Sequence, residues 1–176
     1  MISTEDAIRQ RSSTRGYTEE KLTDEEVKKI LEAGLMAPTA TNRQEIHFTV
    51  VSGDSEILKE LEADKNGLRN GADPRGNFYY CAPTVFFLSA ETAFHWSEVD
   101  AGIAVQNMAL MAEALGLGSV IIGCVNDALH GEKAAYYAKA LAFPEGYDFK
   151  IALAVGHKKV TKEPHTYDEA KSVSVL

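Results

Sequence analysis

The segment Asp100-Ala101-Gly102-Ile103-Ala104-Val105-Gln106-Asn107-Met108-Ala109-Leu110-Met111-Ala112-Glu113-Ala114-Leu115 constrains the fold of this chain more than any other. It has helical length and contains no Lys or Arg. It closes on Gly116-Leu117-Gly118, and the β-branched run after Ser119 ends at Gly123. A helix with so little charge round its circumference is buried on most of its sides. One small core rarely encloses a whole helix. In a chain of 176 residues this helix is therefore either the spine of the domain or part of an interface with a second copy. A site built against it would then belong to a dimer.

The length suits a single domain over residues 1–176 with a substantial core. The net charge of -8 argues against sequence-independent nucleic-acid binding, which needs a basic face. Local basic clusters can still hold a nucleotide or a phosphorylated cofactor. The two cysteines, Cys81 and Cys124, form no CxxC and no disulfide framework, which points to a reducing compartment. The stretch after Met1 has neither a basic n-region nor an apolar h-region, and no apolar run reaches membrane-spanning length. The expectation is a cytoplasmic protein with no membrane association.

A short helix is expected over residues 4–10. Thr23-Asp24-Glu25-Glu26 reads as a capping box, opening a helix with Val27, Ile30, Leu31, Gly34 and Leu35 on one face and closing by Ala37, ahead of Pro38. Phe48–Val51, Pro83–Leu88, Ser119–Ile122 and Phe149–Val155 read as strands. Asp54 is expected to cap a helix that turns Ile57, Leu58 and Leu61 inward, and residues 131–141 are expected to be helical. The polar stretch 65–77 is the longest loop, and Gly116 suits a left-handed helix cap. The tail 157–176 ends in alternating Val173, Val175 and Leu176, the pattern of a strand that pairs with another sheet edge. Helices and strands intermix, so a sheet covered on both faces is expected.

Two segments carry chemistry. Arg9-Gln10-Arg11-Ser12-Ser13-Thr14-Arg15 gathers guanidinium forks and hydroxyls that match phosphate oxygens; taken alone, a solvated basic linker is the simpler reading. Pro38-Thr39-Ala40-Thr41-Asn42-Arg43-Gln44 follows a helix end and offers amides to a flat heterocycle; taken alone, it is a connector. Gly116-Leu117-Gly118 is no dinucleotide fingerprint, because that motif needs a strand before it and a helix after it. The histidines His47, His95, His130, His157 and His165 lack metal-ligand spacing, so no metal is expected. Glu91, Glu98 and Asp100, around Trp96, read as a solvated loop and helix start. No cysteine or serine stands in a nucleophile context, so no catalytic side chain is assigned. This combination fits an enzyme whose cofactor carries the chemistry.

Taken in order, these segments resemble the FMN-dependent nitroreductase family over nearly the whole chain. Arg11, Ser13 and Arg15 match its R-x-S-x-[RK] opening, and Ala37–Gln44 match A-P-S-[AS]-x-N-x-Q. Ala82-Pro83 match its A-P strand start. Asp100, Gly102, Ala104 and Gln106-Asn107 match D-x-G-x-A-x-Q-N, Ala112–Ser119 match A-x-x-L-G-L-G-S, and Gly156-His157 close the last strand. The resemblance implies an α+β three-layer sandwich with a central, mostly antiparallel sheet. It also implies an intertwined homodimer with the tail wrapped over the partner and FMN in the interface. Arg11, Ser12, Ser13 and Arg15 would hold its phosphate and ribityl chain. Pro38, Thr39, Ala40, Asn42 and Gln44 would reach the ring from the other subunit, and Ile121, Ile122 and Gly123 would lie against it. The family's Pro-Trp after the Gln is Glu45-Ile46 here. Its late Lys and Arg have as counterparts Lys158, Lys159, Lys162 and His165, of which Lys162 and His165 are assigned to the phosphate. The implied activity passes electrons from NAD(P)H to a small acceptor such as a nitroaromatic or quinone, in ping-pong fashion. The alternatives are a flavin-binding module with little turnover, or a specialised branch such as a reductive dehalogenase.

Overall fold

The computed structural model describes residues 2–74 and 76–175. The chain runs through α1 (Thr4–Gln10), α2 (Asp24–Leu35), a single 3-10 turn at Ala40–Asn42, β1 (His47–Ser52) and α3 (Glu56–Leu68). It continues through β2 (Thr84–Glu91), α4 (Ser97–Ala114), β3 (Leu117–Ile122), α5 (Asn126–Leu129), α6 (Ala134–Ala140), β4 (Tyr147–His157) and α7 (Glu169–Ser172). The strands form one antiparallel sheet in the order β1-β2-β4-β3.

Alternation along the strands builds two cores. Val85 and Phe87 of β2, with Ala152 and Ala154 of β4, face a core closed by Leu58, Leu61, Phe78, Leu129 and Tyr137. Phe86 and Leu88, with Leu153 and Val155, face the opposite core, made with Ile30 of α2 and Ala104, Met108 and Ala112 of α4. Successive side chains of a strand point to opposite faces, so a run such as Val85-Phe86-Phe87-Leu88 is apolar throughout only because both faces are covered. This is the expected three-layer α+β sandwich.

α4 is the long element of the second layer. Its sheet-facing side is buried, but Val99 and Ile103 on the other side are 51% and 37% exposed. The helix closes through Leu115 and Gly116, whose φ of +80° is the left-handed cap expected there. Thr23 and Glu26 form the expected capping box, with Glu26 N–H donating to Thr23 Oγ1 at 3.2 Å and Thr23 N–H to Glu26 Oε2 at 2.8 Å.

Several local expectations are corrected. Asp54 does not cap α3. Ser55 is the first flanking residue, and Asp54 accepts instead from Ser52 Oγ at 2.6 Å and Lys21 Nζ at 3.3 Å. α3 continues through Leu68, beyond the expected loop start at residue 65, because Leu61 and Lys65 turn inward and the Lys65 ammonium is met by Glu62 at 3.1 Å. The stretch 131–141 is helical only from Ala134, with α5 a separate turn before it. The tail carries a helical turn at Glu169–Ser172, and its expected terminal strand includes Leu176, outside the described residues.

Replacing the α2 cap by Thr23→Ala is expected to lower stability by about 1 kcal/mol, read as a lower urea midpoint at unchanged slope.

Candidate functional site

The segment Arg11–Tyr17 is laid along the open edge of β3. Ser13 bridges Ser119, the Thr14 N–H donates to the Ser119 carbonyl at 2.9 Å, and Tyr17 bridges Lys158 at the end of β4. The approach is close because position 118 is glycine: a Cβ there would stand 2.7 Å from the Thr14 side chain and 2.8 Å from Lys158 Cγ. Tyr17 Oη donates to the Thr14 carbonyl at 2.8 Å and lies 3.3 Å from that of Ala154, fixing the segment to β4 from below. Burial holds this phenol well above its ordinary pKa, against the opposing pull of Arg15.

Between this segment and the start of the tail lies a hollow of about 220 Å³, lined by Gln10, Ser12, Thr14, Glu113, Lys158 and Lys162, among others. Lys158 Nζ donates to Glu113 Oε1 at 2.6 Å, so a cation reaches the hollow with its counter-charge supplied by α4. Lys158 is the residue that the sequence assignment passed over. Lys158 follows the last residue of β4, bridges Tyr17, and lines the hollow. Lys162 lies in the lining, together with Glu163, whereas His165 is exposed and not part of it. Arg11 and Ser13 are half-buried beside Ser12. Arg15 is exposed, its guanidinium 5.7 Å from the centre of the Tyr80 ring.

The second segment, Pro38–Gln44, is a tight loop with Thr41, Asn42 and Gln44 at φ of +57°, +55° and +55°. Left-handed backbone is tolerable for Asn but costly for the β-branched Thr, on the order of 1–3 kcal/mol, so the surroundings must impose it. Gln44 N–H donates to Thr39 Oγ1 at 2.8 Å and Asn42 N–H to the Thr39 carbonyl at 2.9 Å. Ala40 N–H donates to Asp100 Oδ2 at 2.9 Å. Arg43 pairs with Glu91 and sits 4.4 Å from the centre of the Phe94 ring. The reading of Glu91 and Asp100 as solvated residues is therefore corrected. Asp100 is 3% exposed and holds the loop, Glu91 holds Arg43, and only Glu98 is exposed. A helix start attracts acidic residues for its dipole alone, so the sequence carried no sign of this second use.

The third segment, Ile121–Gly123, ends β3. Ile121 is half-exposed and Ile122 buried, and a Cβ on Gly123 would meet nothing nearer than Ile151 Cδ1 at 3.7 Å. Next to it, burial pushes the Cys124 thiol up despite the nearby Lys65 and Arg69, which is the opposite of nucleophile activation. The roomier hollow between α3 and α6 is lined by an ion pair, with Asp64 taking Lys133 at 2.8 Å and the Tyr137 hydroxyl at 2.5 Å.

The hollow and the polar loop stand at opposite ends of α4. Asp100 anchors the loop, and Glu113 sits thirteen residues later in the sequence, about 20 Å along the helix axis.

Residues 8–157 match the sequence profile of the nitroreductase family. The chain belongs to that family. A relative in Archaeoglobus fulgidus carrying an NADH dehydrogenase/NAD(P)H nitroreductase name is 30% identical over 159 residues, which cover 90% of this chain and 87% of the relative. An FMN reductase (NADPH) of Bacillus subtilis is 30% identical over 89% of this chain, which spans 66% of that enzyme. Among solved structures, a nitroreductase with bound FMN from Desulfitobacterium hafniense superposes with a TM-score of 0.89 at 32% identity, over 100% of both chains. The chain thus has the nitroreductase fold. Among the described residues no helix is long and apolar enough to cross a membrane.

Tyr17→Phe removes the donor to two backbone carbonyls and is expected to cost about 1 kcal/mol in urea unfolding. The phenol ionises less readily in the fold than in the unfolded chain. Its contribution is therefore complete below about pH 10 and lost as the pH rises beyond that, so the difference between wild type and Tyr17→Phe should narrow in alkali.

Proposed function

We propose that this chain is a single-domain, FMN-dependent NAD(P)H oxidoreductase that works as a homodimer in the cytoplasm and delivers electrons to a small acceptor such as a nitroaromatic or a quinone. One observation carries the reading: the two polar segments suited to a phosphorylated heterocycle are separated by most of α4. Within one chain they cannot grip one cofactor together. A second copy packed antiparallel on the exposed Val99–Ile103 face would bring the hollow of one subunit to the loop of the other. That contact would also cover the apolar side that α4 leaves open, and obligate interfaces of this kind resemble a core cut in half. The relatives support the cofactor, since an FMN-bound nitroreductase matches the chain over its whole length.

The residues fit the group. Ser12, Lys158 and Lys162 of the hollow, with Arg11 and Ser13 on the same segment just outside its lining, would form a donor set for a phosphate; of the two carboxylates in the lining, Glu113 is paired with Lys158 and Glu163 is exposed. Arg15 and His165 stand further out and would serve the ribityl chain and the phosphate rim. Pro38, Thr39, Ala40, Asn42 and Gln44 would meet the ring from the partner. Ile121 gives it an apolar face, with Ile122 and the Gly123 backbone at its edge. When bound, FMN supplies the chemistry, accepting two electrons from NAD(P)H and passing them on. The side chains bind, orient and exclude water, and none has to act as nucleophile or base.

Arg11→Ala and Arg15→Ala should each weaken FMN binding about tenfold to a hundredfold, the size of a charged hydrogen bond. Arg9→Ala should change it little, because Arg9 is engaged with Glu5 on α1 at 3.0 Å. Flavin fluorescence titration measures this. Mixed dimers of Arg11→Ala and Asn42→Ala subunits should keep one intact site of the two.

Anaerobic NADH or NADPH is expected to bleach the bound flavin, and double-reciprocal plots at several acceptor concentrations should be parallel, because donor and acceptor use the same face in turn. Intersecting lines would require a separate nicotinamide site. A flavin reduced by dithionite but by neither nicotinamide would favour the binding-module reading.

A further inference from the structure

Glu45 directly follows the strained loop and occupies the place where the family pattern has proline. It is 6% exposed, and neither of its buried carboxyl oxygens accepts a hydrogen bond from another residue. An ionised carboxylate so placed would be uncompensated. The acid it faces is Asp100, itself 3% exposed, whose Oδ2 already accepts Ala40 N–H at 2.9 Å. The other charge near Glu45 is Arg43 of its own loop, which is committed to Glu91 at the end of β2 and to the Phe94 ring. Two carboxyl groups buried side by side cannot both ionise cheaply, and one proton serves the pair.

We propose that Glu45 is a positioning residue that stays protonated and donates to Asp100, so that one shared proton ties the Thr39–Gln44 loop to α4 in the shape the flavin ring requires. This rests on the FMN reading above. The loop holds three left-handed residues and would relax if its anchor slackened. Asp100 fixes the loop's near end through Ala40, and Glu45 fixes its far end on the same carboxylate. Burial first, then the Asp100 carboxyl, hold Glu45 above the ordinary carboxylate range, against the lowering pull of its own backbone amide and Arg43. A proton bound more tightly with the loop in place than with it released favours the ordered loop at low pH. The benefit disappears as the pH rises through the raised value.

The test measures FMN affinity of the apoprotein by flavin fluorescence from about pH 5 to about pH 9, for wild type and Glu45→Gln, with thermal midpoints of the apoprotein recorded in parallel. The glutamine amide donates to Asp100 without a titratable proton. The FMN phosphate titrates near pH 6 in both proteins and cancels in their difference. Wild type should lose affinity relative to Glu45→Gln with a limiting slope of about tenfold per pH unit, and its apo midpoint should fall over the same range while that of the variant does not. Superimposable pH profiles for the two proteins would overturn the proposal. If Glu45→Gln does not fold, Asp100→Asn, which keeps the acceptor for Ala40 and removes the second carboxyl, should move the loss of affinity to lower pH, because burial alone then holds the Glu45 proton, and a profile that does not move overturns the idea. If neither protein binds FMN at any pH, the cofactor reading falls, and the apo midpoints alone decide the shared proton.

Discussion

The helix α4 is apolar on more sides than one small domain can cover, and the structure is arranged round that fact. Its inner side packs Ala104, Met108 and Ala112 on the central strands, where small residues let helix and sheet approach closely. Its outer side keeps Val99 and Ile103 in view. The same helix serves as a ruler. Its first turn presents Asp100 to the loop at Ala40 and its last presents Glu113 to Lys158, so each end organises one half of a site.

The two ends solve different electrostatic problems. At the C-terminal end the Glu113 carboxylate and the Lys158 ammonium neutralise each other beside hydroxyls, a second lysine and a second carboxylate, Glu163. At the N-terminal end two carboxyl groups are buried together, and the nearby Arg43 is committed to Glu91. A buried polar group without a partner is expensive, and it persists only where the surrounding structure enforces it. Here it adjoins three residues in left-handed backbone, the kind of local strain that gathers where a loop must hold a set shape.

Much of the fold was legible in the sequence because it rests on local chemistry. The Thr23–Glu26 box, the left-handed Gly116 and the four apolar strands follow from single side chains and short apolar runs, and each formed as expected. The errors fell where a residue had two plausible local uses. Asp54 could cap α3 or pair with Lys21, and the choice depended on where Lys21 came to lie. The stretch after residue 65 looked like loop by composition, yet Lys65 had Glu62 one turn away to satisfy it inside the helix.

The sequence by itself determined that α4 would be apolar round most of its circumference, and that the chain would carry a basic hydroxyl-rich segment and a polar loop. All of these depend on residue type and spacing. Only the tertiary structure decided which charges meet. Lys158, which bridges Tyr17, lines the hollow, and His165 does not. The approach of Ala40 to α4 turned Asp100 from a helix-start acid into a loop anchor facing Glu45. Charge pairing depends on distances of a few ångströms between segments sixty residues apart, and no periodicity in a chain encodes those.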